Sequence, residues 1–132
     1  MKLLDGKNAI ITGAARGIGE GIAIKFAEQG CNVAFTYVSD SSAEKAKALE
    51  EKLAAMGVKA KAWKSNAGDY AACEGFVNDV LKEFGAVDIC VNNAGISKDN
   101  LLLRMTPEQW DEVMQVNLKS VFNMTKQVIR PM

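Results

Sequence analysis

Three closely spaced glycines, in the segment 12–19 (TGAARGIG), separate a short apolar stretch from an amphipathic one. Residues 8–12 predict a buried strand, and residues 18–29 carry apolar side chains at helical spacing until Gly30. Backbone N–H groups at such a strand-to-helix turn bind phosphate well, because glycines keep side chains out of the way. The spacing G-x-x-x-G-x-G differs from the general dinucleotide fingerprint G-x-G-x-x-G. The turn therefore predicts a phosphate site, with a glycine-rich turn that binds no ligand as the alternative.

Predicted strands and helices alternate along the whole chain. The strands are 8–12, 32–37, 58–63 and 87–91, and the helices are 18–29, 41–56, 69–84 and 107–130. Alternation of this kind indicates parallel strands joined by right-handed crossovers. We therefore predict one α/β domain over 1–132, a doubly wound parallel sheet of the Rossmann type with strand order 3-2-1-4 and flanking helices. Residues 58–63 alternate apolar residues with lysine, which predicts a half-exposed edge strand.

Local signals predict how the helices begin and what the last one packs against. The segments 41–44 (SSAE) and 106–109 (TPEQ) have the spacing of capping boxes, and Asp69 is placed to cap the third helix. The helix 107–130 carries apolar residues on more than one side, so we expect one face to cover the sheet and the surplus to drive self-association. One predicted stripe is Trp110, Met114, Val121 and Val128, and the apolar residues beyond it include Val113, Phe122, Met124 and Ile129.

The balance of charges and the residue types limit the possible partners. Sixteen basic and 16 acidic side chains leave no net charge to attract nucleic acid or an anionic membrane. No apolar run approaches the length of a membrane span, and Asp5 interrupts the first residues before a secretory signal can form. Three cysteines fit no metal or disulfide framework, and the lack of histidine removes Ser-His-Asp catalysis. We expect a cytoplasmic protein with reduced thiols and without nucleic-acid, membrane or metal partners.

Two further sequence features lie beyond the glycine turn, one directly after a predicted strand and one inside a predicted helix. Residues 92–95 (NNAG) come directly after the fourth strand, and Asn117 lies inside the fourth helix. Together with the turn, they resemble the signatures of the short-chain dehydrogenases/reductases. The resemblance makes Asn117 the family's catalytic asparagine, which supports a proton-relay water; alone, it would be read as a polar residue tolerated in a helix.

The resemblance also implies a dinucleotide cofactor and the residues that bind it. In the turn, Gly13 allows the tight bend, Gly17 allows the cofactor to approach the backbone, and Gly19 lets the helix pack close to the sheet. The full set of expected cofactor-binding residues is Gly13, Ala15, Arg16, Gly17, Ile18, Gly19, Tyr37, Asn66, Ala67, Asn93, Ala94 and Gly95.

Charge near the second strand predicts which dinucleotide binds. A site for NAD usually ends this strand in an acid that accepts from the ribose hydroxyl, but here the strand ends at Tyr37. Asp40 follows in the loop before the second helix, and Arg16 lies in the glycine turn, where a guanidinium can pair with a 2′-phosphate. These residues, with the nearby serines 39, 41 and 42 as hydroxyl donors, favour NADP. The alternative for Arg16 is a solvated surface side chain.

The adenine pocket departs from the family pattern at one position. After the third strand the family usually has an aspartate that accepts from the adenine amino group, and Asn66 stands there in this chain. The amide oxygen of asparagine can accept the same hydrogen bond. The resemblance therefore still places adenine beside Asn66 and Ala67.

The loop 96–105 (ISKDNLLLRM) points to a substrate class. It resembles the corresponding loop of bacterial 3-oxoacyl-[acyl-carrier-protein] reductases, which implies fatty acid biosynthesis, acyl carrier protein as partner and a homotetramer. Acetoacetyl-CoA reductases and sugar dehydrogenases are similar enough to stay as alternatives, and a non-catalytic nucleotide-binding module is a third possibility. An alternative interpretation of this loop is a lid that the apolar residues 101–103 (LLL) hold in place. Arg130, extended by Lys126, is the predicted basic contact for the acidic carrier, although cations commonly end helices.

The family's remaining chemistry requires a serine and a tyrosine–lysine pair of the form Y-x-x-x-K. The residues four positions beyond the two tyrosines, Tyr37 and Tyr70, are Ser41 and Glu74. We therefore expect the chain to be incomplete at its C-terminus, to hold only Asn117 of the catalytic set and to be inactive alone.

Overall fold

The computed structural model describes all residues from 1 to 132 and contains one parallel four-stranded sheet. The strands are β1 (Asn8–Ile11), β2 (Asn32–Tyr37), β3 (Ala60–Lys64) and β4 (Ile89–Val91). Their order is β3-β2-β1-β4, and every pairing is parallel. The predicted fold class and strand order are confirmed. β3 lies at the sheet edge with half-buried residues, as its alternating sequence predicts.

The chain has five α-helices, of which the first three and the last pack on the two faces of this sheet. They are α1 (Gly17–Glu28), α2 (Ala43–Ala54), α3 (Tyr70–Phe84), α4 (Pro107–Val113) and α5 (Ser120–Ile129). Because side chains alternate along a strand, Ile10 packs with α3 and α5, whereas Ile11 packs with α1 and α2. Both isoleucines are fully buried. None of the helices combines the length and hydropathy needed to cross a bilayer.

Two of the three predicted helix caps are present. Thr106 and Gln109 form a reciprocal capping box, and the Asp69 carboxylate accepts from the Ala72 N–H at 3.1 Å. The capping box predicted at 41–44 is wrong, because the Ser39 hydroxyl lies within 3.0 Å of those of the serines at 41 and 42. Residues Asp40–Ser42 form a short 3₁₀ turn, and α2 begins at Ala43 without a side-chain cap.

The predicted helix 107–130 is interrupted by a π-helical turn at Met114–Lys119. A π turn holds more residues than an α turn, so it rotates the faces of the helix that follows it. The predicted stripe therefore does not hold: Val128 is buried with Met124, whereas Trp110 and Val121 are exposed. The expectation that apolar residues exceed what one face can bury is nevertheless confirmed.

Candidate functional site

A cleft of about 510 Å³ opens where the carboxyl ends of all four strands meet. Parallel strands bring their following loops to one sheet edge, which is where ligands bind in open α/β folds. Of the residues expected to bind a cofactor, those that line this cleft are Gly13, Ala15, Arg16, Gly17, Ile18, Tyr37, Asn66, Ala67, Asn93, Ala94 and Gly95. Gly19 is buried behind the turn, so it shapes the cleft without lining it.

The glycine turn presents backbone rather than side chains to the cleft. Gly13 and Gly17 adopt φ of +68° and +61°, a left-handed conformation that other residues rarely take. A Cβ on Gly17 would meet nothing within 4 Å, and no side chain caps the start of α1. The first N–H groups of a helix have no intrahelical partner, so this end of α1 offers free donors and the positive end of its dipole to an anion.

Asn93 ties the β4 loop to the glycine turn. Its Nδ2 donates to the carbonyl oxygens of Thr12 and Gly13 at 3.1 and 3.0 Å. In return, the buried Thr12 hydroxyl accepts from the backbone N–H groups of Asn93 and Ala94, at 3.1 and 3.0 Å. The side chain of Asn93 therefore supports the turn, and sequence reasoning gave no sign that Thr12 is its partner.

The end of β2 carries no acid toward the cleft. Gly13 N–H donates to the Thr36 hydroxyl, and the strand ends at Tyr37. The Asp40 carboxylate accepts a hydrogen bond from the Lys64 ammonium at 2.6 Å, which lowers the pKa of Asp40. The exposed Arg16 makes no ion pair. The cleft is therefore lined here by a free guanidinium and the hydroxyls of Ser39, Ser41 and Ser42.

Asn66 follows β3, the neighbour of β2 in the sheet, and one of its acceptor positions is in use. Its Oδ1 accepts from the Gly68 N–H at 2.9 Å, and the residue is otherwise exposed at the cleft. An amide oxygen has two lone pairs, so a second donor can still be accepted. The adjacent Ala67 is buried and completes this wall.

Asn117 lies in the π-helical turn and holds the loop after β4. Its Oδ1 accepts from the Ile96 N–H at 2.7 Å, and its Nδ2 donates to the Ile96 carbonyl at 2.8 Å. A Cβ on Gly95 would lie 3.1 Å from the same Oδ1. Asn117 does not line the cleft, whereas Ile96 and Val116 do. These two apolar residues were not predicted as site residues, because an apolar side chain carries no chemical signal.

The family model described as short chain dehydrogenase matches residues 7–132 of the chain. The chain belongs to the short-chain dehydrogenase family. The match covers the glycine turn, the 92–95 segment and Asn117, so the resemblance seen in the sequence is confirmed.

Similar curated proteins point to one branch of the short-chain dehydrogenases. The chain is 47% identical over 117 residues to a 3-oxoacyl-[acyl-carrier-protein] reductase of Staphylococcus aureus (strain Mu50), with 89% of the chain and 47% of the relative covered. It is 44% identical over 128 residues to the reductase of that name from Escherichia coli (strain K12), with 97% and 50% covered. The chain thus spans about half the length of the curated relatives it matches.

Solved structures of short-chain dehydrogenases have the same fold as this chain. A blue fluorescent protein from a metagenomic library, in complex with NADPH, matches with a TM-score of 0.93 at 36% identity. A short chain dehydrogenase from Burkholderia cenocepacia J2315, in complex with NADP, matches with a TM-score of 0.93 at 37% identity. Each comparison covers 98% of this chain and 52% of the solved one.

Outside the cleft, this short-chain dehydrogenase exposes an apolar surface on its last helices. We call it the apolar helix surface, and its exposed residues are Trp110, Leu118, Val121, Phe122 and Ile129. The Lys126 ammonium lies over the rings of Tyr70 and Phe122, at 5.5 and 5.9 Å from their centroids. Arg130 is exposed at the end of α5 and makes no ion pair.

Proposed function

We propose that the cleft binds NADP(H), with the pyrophosphate against the glycine turn and the 2′-phosphate against Arg16. The observation that carries this proposal is the uncapped, side-chain-free start of α1 facing a cleft that Arg16 also lines. No carboxylate ends β2, and Asp40 is bound to Lys64. The NADPH and NADP complexes of two structural relatives, at 36% and 37% identity, give independent support.

The residues that line the cleft fit the 2′-phosphate and the adenine of this cofactor. Arg16 and the three serines suit a phosphate monoester, because charge-assisted hydrogen bonds to phosphate are strong. Asn66 has an acceptor position for the adenine amino group, and Gly95, which also lines the cleft, leaves room for the Asn117 side chain. When bound, NADPH supplies a hydride; the residues of this chain bind and orient it.

We infer further that the natural protein reduces the 3-oxo group of an acyl thioester on acyl carrier protein. The support is the 44–47% identity to two curated reductases of that name, together with the loop 96–105. Asn117 acts here by fixing both backbone groups of Ile96, which borders the cleft, and by its family role toward a relay water. In the family, a tyrosine–lysine pair with the spacing Y-x-x-x-K donates the proton to the substrate. Neither Tyr37 nor Tyr70 has a lysine at that spacing, so the 132-residue chain alone should not reduce the substrate.

The assembly and location expected from the sequence belong to the same proposal. A homotetramer would cover the apolar helix surface, and acyl carrier protein, which is acidic, would meet Arg130. The activity is assigned to the cytoplasm.

The reaction is tested by the loss of NADPH absorbance with a panel of substrates. The natural protein that contains this chain is given a 3-oxoacyl group on carrier protein, acetoacetyl-CoA and a panel of sugar and alcohol dehydrogenase substrates. The highest kcat/KM should belong to the carrier-bound substrate. A higher value for the CoA thioester or for a sugar would replace the proposed substrate, and the absence of turnover with all of them would favour a nucleotide-binding module.

A further inference from the structure

Two amide side chains reach from the last helices to the loop that follows β3. Gln115, in the π-helical turn, donates from Nε2 to the Gly68 carbonyl oxygen at 2.7 Å. Asn123, in α5, donates from Nδ2 to the Ala67 carbonyl oxygen at 3.0 Å. The two bonds therefore join this loop to residues on two successive segments of one long helical stretch.

Hydrogen bonds within the loop after β3, residues 66–69, also stabilise it. Asn66 Oδ1 accepts from the Gly68 N–H at 2.9 Å, and the Asn66 carbonyl accepts from the Asp69 N–H at 3.0 Å. Ala67 and Gly68 are buried, whereas Asn66 is exposed at the cleft. The bonds to the carbonyls on the buried side of the loop therefore fix the position of Asn66, the polar side chain that the loop presents to the cleft.

Asn123 is an unusual residue for its place in the core. It is 0% exposed, and its Oδ1 has no hydrogen-bond partner. Burying an amide in this way is unfavourable unless its donor is used, and an apolar side chain would fit such surroundings at lower cost. The other donor to the Ala67 carbonyl is the Cys73 thiol at 3.4 Å, which is a weak donor. The bond to Ala67 is thus what the buried amide provides.

We propose that Gln115 and Asn123 are positioning residues for the adenine end of the cofactor cleft. Neither side chain lines the cleft, so both act through the loop 66–68, which sets where Asn66 offers its free acceptor position. This inference rests on the proposed binding of NADP at that cleft. It adds that residues on the helix that carries Asn117 also determine how the distant adenine group is recognised.

The test compares NADP with etheno-NADP, an analogue whose adenine amino group is blocked. We call Gln115 and Asn123 the loop clamp, and the two clamp variants are Gln115→Met and Asn123→Leu. Both remove a donor without adding charge, and Gln115 is exposed, so its variant should fold normally. The control is Gln127→Leu on the same helix, where Nε2 is buried without a partner and makes no bond to the loop. Each clamp variant should weaken NADP binding by about five- to tenfold. Etheno-NADP binding should change far less, and the control should leave both affinities unchanged.

A second measurement does not depend on any ligand. Hydrogen exchange at the Gly68 and Asp69 amides, whose acceptors are both on Asn66, should accelerate in the two clamp variants and not in Gln127→Leu. Unchanged exchange, or an equal loss of affinity for NADP and etheno-NADP, would overturn the positioning role. If the unmodified chain fails to bind NADP, the proposed function is wrong. Hydrogen exchange at Gly68 and Asp69 then decides by itself whether Gln115 and Asn123 order the loop.

Discussion

Gly19 and Asn93 are packed so closely that no side chain fits between them. A Cβ built on Gly19 would lie 2.5 Å from Asn93 Nδ2, 2.7 Å from the Gly13 carbonyl oxygen and 2.9 Å from the Ala14 Cα. Asn93 Nδ2 uses that position to donate to the Thr12 and Gly13 carbonyls. The third glycine of the turn thus leaves room for the amide of the β4 loop, which in turn holds the first glycine, Gly13.

Replacing Gly19 with alanine should disrupt this arrangement. The added methyl group has to displace Asn93 or the backbone of the turn, so the free energy of unfolding should fall by about 1–3 kcal/mol. NADPH affinity should fall as well, because the turn moves. Gly21→Ala is the matched control: Gly21 is on the same helix, nothing lies within 4 Å of its added Cβ, and the change should raise stability by about 0.5–1 kcal/mol. Urea unfolding of both variants measures the effect, and equal stabilities would show that the turn can relax.

The sequence predicts the layers of this fold well, because alternating apolar segments and glycine stops act locally. It predicts the capping box at Thr106 and Gln109 for the same reason. The π-helical turn and the start of α2 were missed. The first depends on contacts between the long helix and the loops, such as that of Asn117 with Ile96. The second depends on the Ser39 hydroxyl, which bonds the hydroxyls of Ser41 and Ser42.

For the site, family motifs predict which residues line the cleft but not what their side chains do. Asn93 was assigned to the cofactor and lines the cleft, yet its amide nitrogen donates to the carbonyls of Thr12 and Gly13. Asn123 carried no signal at all, since a single asparagine in an amphipathic helix reads as a surface residue. Contacts between residues 47 or more positions apart, such as Gln115 with Gly68, require the folded structure.

The three cysteines should make stability fall at alkaline pH. Burial, as the largest cause, raises the pKa of Cys31, Cys73 and Cys90 from 9.0 to about 11. The folded state keeps these thiols protonated after the unfolded chain has begun to lose its protons, so their contribution is complete below pH 9 and is lost as the pH rises toward 11. Urea unfolding at pH 8 and pH 10 measures the loss. Cys90→Ala should show a smaller loss than the unmodified chain, and an identical loss would show that Cys90 does not contribute.

The apolar helix surface should carry self-association. Leu118 is 64% exposed on it, so Leu118→Asp should leave the fold intact while placing a charge in the interface. Light scattering at micromolar concentration should show a smaller assembly for this variant of the natural protein. Leu3→Asp, at a position that is 73% exposed away from the helices, is the control. A natural protein that is already a monomer would refute the role of this surface.

Arg130 should raise kcat/KM only for a substrate that is carried on acyl carrier protein. In the natural protein, Arg130→Glu should lower kcat/KM for a 3-oxoacyl group on carrier protein, because the variant repels an acidic partner. The loss should shrink as added salt screens the charges, and a small 3-oxoacyl thioester should be reduced as before. Equal losses for both substrates would instead assign Arg130 to the fold or the active site.

We expect the cleft of this chain to recognise the 2′-phosphate of NADPH. Fluorescence titration of the 132-residue chain with NADPH and with NADH tests it most directly, with Arg16→Ala as the variant. Lys25→Ala is the control, since it removes the same charge from the far end of α1, where Lys25 pairs with Glu28. NADPH should bind at least about tenfold more tightly than NADH, and Arg16→Ala alone should remove most of that preference. Equal binding of the two cofactors, tighter binding of NADH, or a preference that survives Arg16→Ala would show that Arg16 does not recognise the 2′-phosphate.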